Sequence, residues 1–194
     1  GLFAKNGRHP ETRVDNYAEW GRRGGWSSSS GRGWANLSNA PFRMYKRYTH
    51  EGGVATPLIV HWPAGVKGKG DLRHAPSHLI DIAPTCLAAA GLEGKGMEGE
   101  SLLPVFAQDQ KRERTLFWEH EGNRAVRKGD YKLVAMHNTP WELYDMSKDR
   151  SELKDLASSM PKKTTELRSA WEAWAKRVGA KPWDEVNVKK KKKK

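Results

Sequence analysis

Four short segments rich in β-branched and aromatic residues lie between residues 115 and 145, and they constrain the fold more than any other feature. They read TLFWEHE, NRAVRKG, YKLVAMH and WELYD. The connections between them hold Gly122-Asn123, Gly129-Asp130 and Asn138-Thr139-Pro140, which are residue types typical of turns. Strands joined by such short turns pair antiparallel. The sequence therefore predicts an antiparallel meander of about four strands.

A helix is predicted after the meander, between Pro161 and Gly179. Proline suits the first position of a helix, and glycine suits the position after its last residue. Apolar residues recur at helical spacing in between, at Leu167, Ala170, Trp171, Trp174 and Val178. We expect this stripe, and Leu167, Trp171 and Trp174 above all, to pack across one face of the sheet.

The first 110 residues carry weaker signals. Residues 1–40 are rich in Gly, Ser and Arg, which is typical of a long loop. Residues 42–50 alternate as a strand does, and residues 54–62 form an apolar run typical of a buried strand. The segment HLIDIAPTCLAAAG predicts a helix that ends at Gly91 and breaks or restarts at Pro84. The single cysteine, Cys86, lies in this helix, and a buried, inert thiol is the expectation.

The formal net charge of +12 is unevenly distributed along the 194 residues. Six of the charges are the lysines at 189–194, which leaves +6 for the rest of the chain. A run of like charges repels itself and has nothing to bury, so we interpret it as a solvated tail. A nucleic-acid arm and attachment to an anionic surface are the alternatives, but no nucleic-acid-binding motif accompanies the charge. No stretch of 18 apolar residues occurs, so no membrane span is predicted.

Five blocks in order resemble the C-terminal portion of the arylsulfatase-type sulfatases, in the alkaline-phosphatase-like superfamily. The blocks are WANLSNAPFRMYKRYTHEGGVATPLIVHWPAG, HLIDIAPTCLAAAG, EGESLLPVF, WEHEGNRAVRKGDYKLV and ELYDMSKDRSELKDLA. The resemblance implies an α/β fold, with residues 1–110 as the end of the core. It implies a subdomain of antiparallel four-stranded sheet plus C-terminal helix at 111–183, followed by a disordered Lys-rich tail at 184–194.

The resemblance also implies an activity, the hydrolysis of sulfuric esters. Members of this family use a formylglycine nucleophile, made from a C/S-x-P-x-R motif, and a divalent cation, usually calcium. No such motif occurs here, since Cys86 is followed by Leu-Ala-Ala-Ala. We therefore expect a fragment that is inactive alone, with the nucleophile and most calcium ligands upstream. Asp15-Asn16 is a weak metal candidate, because its flanks are neither an apolar strand nor glycine. The family suggests a periplasmic or secreted protein.

Lys46 is the expected catalytic and substrate-binding residue of this chain. Four residues separate it from Glu51 of the EGG turn, which matches the substrate-contacting lysine of the family. His50 is a candidate substrate-binding residue, with a hydrogen-bonded structural histidine as the alternative. Arg43 is expected to be a salt-bridge partner, and Glu51 to bond to backbone or to a nearby cation.

Two classes of function remain open at this point. The first is a sulfuric ester hydrolase, represented by the portion that contributes Lys46. The second is a non-catalytic basic module that binds sulfated polysaccharide or another polyanion. The charge of the chain and the missing nucleophile motif are compatible with both.

Overall fold

The structure is a computed structural model that describes residues 31–68 and 70–187. Its centre is one antiparallel sheet of four strands in the order β1-β2-β3-β4. The strands are β1 (Thr115–His120), β2 (Asn123–Lys128), β3 (Tyr131–Ala135) and β4 (Glu142–Asp145). The predicted meander is therefore confirmed in its strands and in its connections. The β1–β2 turn consists of Glu121 and Gly122, whose φ values of 51° and 82° suit a tight hairpin loop.

The C-terminal helix covers one face of this sheet, as predicted. Helix α5 (Pro161–Val178) begins at a proline and ends before Gly179, which takes the left-handed conformation with φ 71°. Leu167 packs in a buried cluster with Val126, Leu133 and Leu143. Trp174 stacks on Phe117 with ring centroids 5.2 Å apart. The Trp171 indole donates a hydrogen bond to the carbonyl oxygen of Trp118 at 3.0 Å.

The opposite face of the sheet packs against the N-terminal half of the chain. Its buried cluster contains Ala125, Val134, Tyr144 and Met146, with Trp118 against it. Because side chains alternate along a strand, Val126 and Leu133 point toward α5 while Ala125 and Val134 point away. Lys132 also lies on the face that points away from α5, and its side chain is wholly buried.

The remaining helices are α1 (Gly31–Asn39), α2 (Glu51–Val54), α3 (Ile82–Ala89), α4 (Leu103–Ala107) and α6 (Trp183–Val186). A 3-10 turn, Leu79–Asp81, leads directly into α3, so the helix predicted before Gly91 is confirmed. Pro84 lies in the first turn of α3, where its missing N–H leaves no hydrogen bond unmade. The buried Asp81 carboxylate fixes this region. It accepts from the backbone N–H groups of His78 and Glu100 and from Arg114.

Several predictions for the N-terminal half are wrong. Residues 42–50 form turns rather than a strand, because Met44 and Arg47 take φ values of 67° and 97°, which no strand contains. Residues 55–62 follow α2 without joining a sheet, and Ile59 is 91% exposed. A strand needs a neighbour for its backbone hydrogen bonds, and the described residues supply none for this segment.

Three smaller expectations also need correction. Residues 31–39 are helical, although the first 40 residues are predicted as a loop. The thiol of Cys86 is exposed, because its side of α3 has no covering element among the described residues. Residues 184–186 belong to α6 rather than to a disordered tail. Residues 1–30 and 188–194, which include Asp15-Asn16 and the lysine run, lie outside the described residues.

In the part of the chain that the structure describes, no helix is long and apolar enough to cross a membrane.

Candidate functional site

Lys46 lies in a tight loop of residues 43–48, called here the Lys46 loop. Its side chain is exposed, and no hydrogen bond or ion pair to it occurs within residues 31–68 and 70–187. The loop folds back over α2. The amide of Gly52 donates to the carbonyl of Arg43 at 2.8 Å, and the amide of Tyr48 donates to the carbonyl of Tyr45 at 3.1 Å.

The glycine pair of α2 allows this close packing. A Cβ atom on Gly52 would lie 2.1 Å from the carbonyl oxygen of Met44. One on Gly53 would lie 1.9 Å from the carbonyl oxygen of Tyr48. Both distances are far inside van der Waals contact, so only glycine fits at these positions. The glycines of the EGG sequence are therefore required for close approach of the backbone, not for a positive φ.

Glu51 anchors the C-terminal end of the loop to the sheet. Its carboxylate lies 3.0 Å from the Lys132 ammonium group of β3 and accepts from Arg150 at 3.2 Å. The same ammonium group lies 2.9 Å from Glu152, whose other carboxylate oxygen accepts from the backbone N–H of Glu51 at 2.9 Å. Burial alone would raise the pKa of Glu51, but Lys132 and Arg150 bring it below the usual range. The expected bond between Glu51 and a nearby cation is thus confirmed.

Arg43 anchors the N-terminal end of the loop in a similar way. Its guanidinium donates to the Glu142 carboxylate at 2.9 Å, to the Tyr144 hydroxyl at 2.8 Å and to the carbonyl of Glu152 at 3.3 Å. Tyr144 also donates to Glu142 at 2.9 Å. Burial would raise the pKa of Glu142, but its bonds to Arg43, His50 and Tyr144 lower it. The salt-bridge role expected for Arg43 is therefore confirmed.

Arg47 differs from Lys46 although the two are adjacent. Its guanidinium pairs with Glu121 in the β1–β2 turn, and its carbonyl accepts from the Asn123 side chain at 3.2 Å. The positive charge of Arg47 is thus compensated by a carboxylate. Lys46 is the cation of this loop that keeps an exposed ammonium group with no carboxylate beside it among the described residues.

His50 is buried, with 1% of its surface exposed, and its Nε2 atom lies 3.2 Å from the Glu142 carboxylate. Burial lowers the pKa of the ring, although the carboxylates of Glu152 and Glu142 oppose the shift. A neutral ring with Nε2–H donating to Glu142 fits this environment. The geometry therefore favours the structural alternative over contact with a substrate. His120 is exposed in β1, and His137 pairs with Asp184 at 3.1 Å.

The comparisons with known proteins agree with this geometry. A family model described as N-sulphoglucosamine sulphohydrolase, C-terminal, matches residues 42–173, more than half of the chain. The chain belongs to the sulfatase family. It represents the C-terminal portion of these enzymes, so the Lys46 loop, α2 and the four-stranded sheet all lie inside the matched region.

Individual sulfatases show the extent of the similarity. The chain is 31% identical over 163 residues to an uncharacterized sulfatase of Schizosaccharomyces pombe, a match that covers 75% of this chain and 29% of the relative. It is 36% identical over 100 residues to the N-acetylgalactosamine-6-sulfatase of Sus scrofa, with 49% and 19% covered. The crystal structure of Ps i-CgsB superposes with a TM-score of 0.64 and 26% identity, covering 72% of this chain and 34% of that one.

The sulfatase chain thus spans less than a third of the length of these curated relatives. Within the residues that the structure describes, no group of three or more His, Cys, Asp or Glu side chains is placed to hold a metal ion. This part of the chain therefore does not by itself bring together a set of ligands for the calcium ion that the family implies. The sulfatase residues brought together here are cations and their anchoring carboxylates.

Sequence reasoning missed the sheet side of this site. Lys132, Glu142 and Glu152 are not among the candidate residues of the sequence analysis, because no motif distinguishes them in a chain that is 30% charged. Lys132 is nevertheless wholly buried, since Glu51 and Glu152 neutralise it on both sides. The available signal was its place beside Leu133 and Val134, in a strand whose two faces are both covered.

Proposed function

We propose that this chain is the C-terminal portion of a sulfuric ester hydrolase and that Lys46 contacts the sulfate ester. The observation that carries the proposal is the contrast within the Lys46 loop. Arg43 and Arg47 are compensated by Glu142 and Glu121, whereas Lys46 presents an exposed ammonium group. A cation on a loop held at both ends can meet an anionic substrate without first breaking an ion pair.

The chemistry of sulfuryl transfer suits such a cation. Negative charge builds on the equatorial oxygens and on the leaving ester oxygen as the S–O bond breaks. A fixed positive charge beside those oxygens stabilises the transition state more than the ground state. The lysine ammonium is a compact charge with three donors, so one group can contact a sulfate oxygen and the leaving oxygen together.

The remaining chemistry calls for residues outside the described part of the chain. A formylglycine nucleophile needs a C/S-x-P-x-R motif, which the 194 residues do not contain. Calcium, the cation that the family implies, would neutralise charge on the sulfate group. We propose both for the complete polypeptide and expect this chain alone to be inactive. A periplasmic or secreted location is part of the same proposal.

The substrate class is a sulfate ester, and sulfated saccharides are the form that the relatives suggest. N-acetylgalactosamine-6-sulfatase carries such a substrate in its name. The natural ester depends on loops and cleft shape around the sulfate, which differ among enzymes of one fold. We therefore propose the reaction and the sulfate contact rather than a particular sugar.

The first experiment reads the coding sequence upstream of Gly1 and assays the encoded polypeptide. We expect an in-frame C/S-x-P-x-R motif and metal-dependent release of 4-nitrophenol from its sulfate ester. The 194-residue chain alone should give no turnover. Metal-dependent turnover by the chain alone would overturn the proposal that the nucleophile and the calcium ligands lie outside it.

A non-catalytic module for sulfated polysaccharide is the second candidate, favoured by the net charge of +12. In the described loop region, however, two of the three cations near α2 are already paired with carboxylates. The absence of an in-frame motif, together with salt-dependent binding of heparin by the chain, would favour this candidate over the hydrolase. A motif together with turnover would exclude it as the main function.

A further inference from the structure

We propose that Lys132 of β3 and Glu142 of β4 are positioning residues, which hold Lys46 in place through two clamps between the sheet and the Lys46 loop. The inference rests on the proposed function, because it concerns the role of Lys46 toward a sulfate ester. Neither side chain would touch the substrate. Each would act through the backbone that carries Lys46.

The first clamp is the group of Lys132, Glu51, Glu152 and Arg150. The side chains of Lys132 and Glu152 are 0% exposed, and that of Glu51 is 6% exposed. The desolvation penalty of burying charges is often larger than the free energy that their mutual attraction contributes. Apolar side chains of similar size often stabilise a fold as well or better. A buried cation between two carboxylates is therefore poorly explained by packing. It is well explained by the need to fix Glu51 at one position.

The backbone of Glu152 also indicates that Glu51 is held at one position. Glu152 takes φ 56°, and this left-handed conformation is unfavourable in free energy for any residue other than glycine. In that conformation its carboxylate reaches both Lys132 and the backbone N–H of Glu51. The strained residue and the buried cation thus act on the same atoms at the start of α2.

The second clamp is the Glu142 carboxylate. It accepts from Arg43, His50 and Tyr144, and its side chain is only 26% exposed. Arg43 begins the Lys46 loop and His50 immediately precedes α2. Glu142 therefore ties both ends of the segment 43–50 to one side chain of β4.

Close packing between α2 and the Lys46 loop couples the position of the two clamps to the position of Lys46. The loop backbone rests on Gly52 and Gly53 so tightly that there is no room for a Cβ atom. A shift of α2 must therefore move the carbonyls of Met44 and Tyr48, which flank Lys46. A displacement of about 1 Å at a reacting group can lower a rate about a hundredfold.

The test begins with amide hydrogen exchange on the 194-residue chain. Lys132→Met removes the ammonium group but keeps most of the length of the side chain, and Glu142→Gln keeps the shape of the carboxylate. Lys128→Met is the matched control, since Lys128 is half exposed and pairs with Glu166 of α5, on the face of the sheet opposite the two clamps. In both clamp variants, amides of residues 43–53 should exchange at least about tenfold faster relative to those of β2, while the control changes this ratio less than about twofold.

The second readout is kinetic and uses the complete polypeptide that carries this chain. Both clamp variants should lower kcat at least about tenfold with KM within about threefold, and Lys128→Met should change neither. Exchange that accelerates equally in the loop and the sheet would mean a structural role only. A loosened loop with unchanged kcat would also overturn the proposal. If Lys132→Met does not fold, Glu142→Gln decides.

The two readouts separate this inference from the proposed function. If the wild-type polypeptide does not hydrolyse a sulfate ester, the proposed function fails. The exchange experiment still shows whether the clamps order the loop. If turnover is found but the clamp variants retain wild-type kcat, the function stands and the positioning role fails.

Discussion

Glu51, Gly52 and Gly53 are adjacent residues that meet different demands of one turn. Glu51 supplies a carboxylate to a buried cation, and the two glycines supply empty space beneath a loop. Glycine could not supply the carboxylate at position 51, and glutamate would not fit beneath the loop at positions 52 and 53. At the residue scale, the EGG sequence therefore combines an electrostatic anchor with a steric one.

Gly53→Ala tests the steric anchor. A methyl group at this position would overlap the carbonyl oxygen of Tyr48, so the loop backbone must move. We expect the free energy of unfolding to fall by about 2 kcal/mol or more in urea titrations. Gly33→Ala is the control, because its Cβ has open space within α1 and should stabilise by up to about 1 kcal/mol. Equal, small effects would contradict the close packing.

His50 predicts a pH dependence with a definite sign. Its pKa in the folded chain lies below the ordinary value of about 6.5, so the unfolded chain binds more protons. Stability from the neutral ring is therefore complete above about pH 6.5 and declines as the pH falls below it. Glu51, Glu142 and Asp81 have lowered pKa values, so their contribution is lost only below about pH 4.5.

The measurement is the change in unfolding free energy between pH 7 and pH 5. His50→Gln keeps a donor for Glu142 but cannot titrate, so the loss of stability over this range should shrink. Some loss should remain, because burial also lowers the pKa of His78. An unchanged slope for His50→Gln would show that this ring does not set it.

At the scale of elements, the sheet and α5 share one apolar core. Leu167 is 0% exposed and joins α5 to three strands through Val126, Leu133 and Leu143. Leu167→Ala should lower the free energy of unfolding by about 2–5 kcal/mol, from lost burial and the cavity left behind. Leu153→Ala is the control, because Leu153 is 81% exposed and should change it by less than about 0.5 kcal/mol. A small effect of Leu167→Ala would contradict the packing of α5.

Features that depend on interactions between residues close in the sequence were predictable, whereas those that depend on distant residues were not. The meander and α5 were predictable because turns, caps and apolar spacing are local signals. The Lys46 loop was misread as a strand, since its alternation hides Met44 and Arg47 in positive φ. The clamps could not be predicted, because Lys132 and Glu51 are 81 residues apart and only the fold joins them.

At the scale of the whole molecule, the chain is divided by the sheet into two environments. The α5 side is an apolar core, whereas the other side carries buried charges that face α2 and the Lys46 loop. Charged groups are costly to bury, and their concentration on one face is the reason that the proposed positioning role is assigned to that side of the sheet. The exposed apolar residues Leu58, Ile59 and Val60 follow α2 along the chain.

Turnover by Lys46→Ala in the complete polypeptide tests the central claim most directly. We expect kcat for an aryl sulfate to fall about a hundredfold or more, the loss typical of one charge-stabilising donor. Arg47→Ala is the matched control, because the adjacent cation is already paired with Glu121 and should cost far less. A large loss for Lys46→Ala with a small one for Arg47→Ala would support the sulfate contact. Equal, small losses from both substitutions would contradict it and reduce the segment to a basic surface loop.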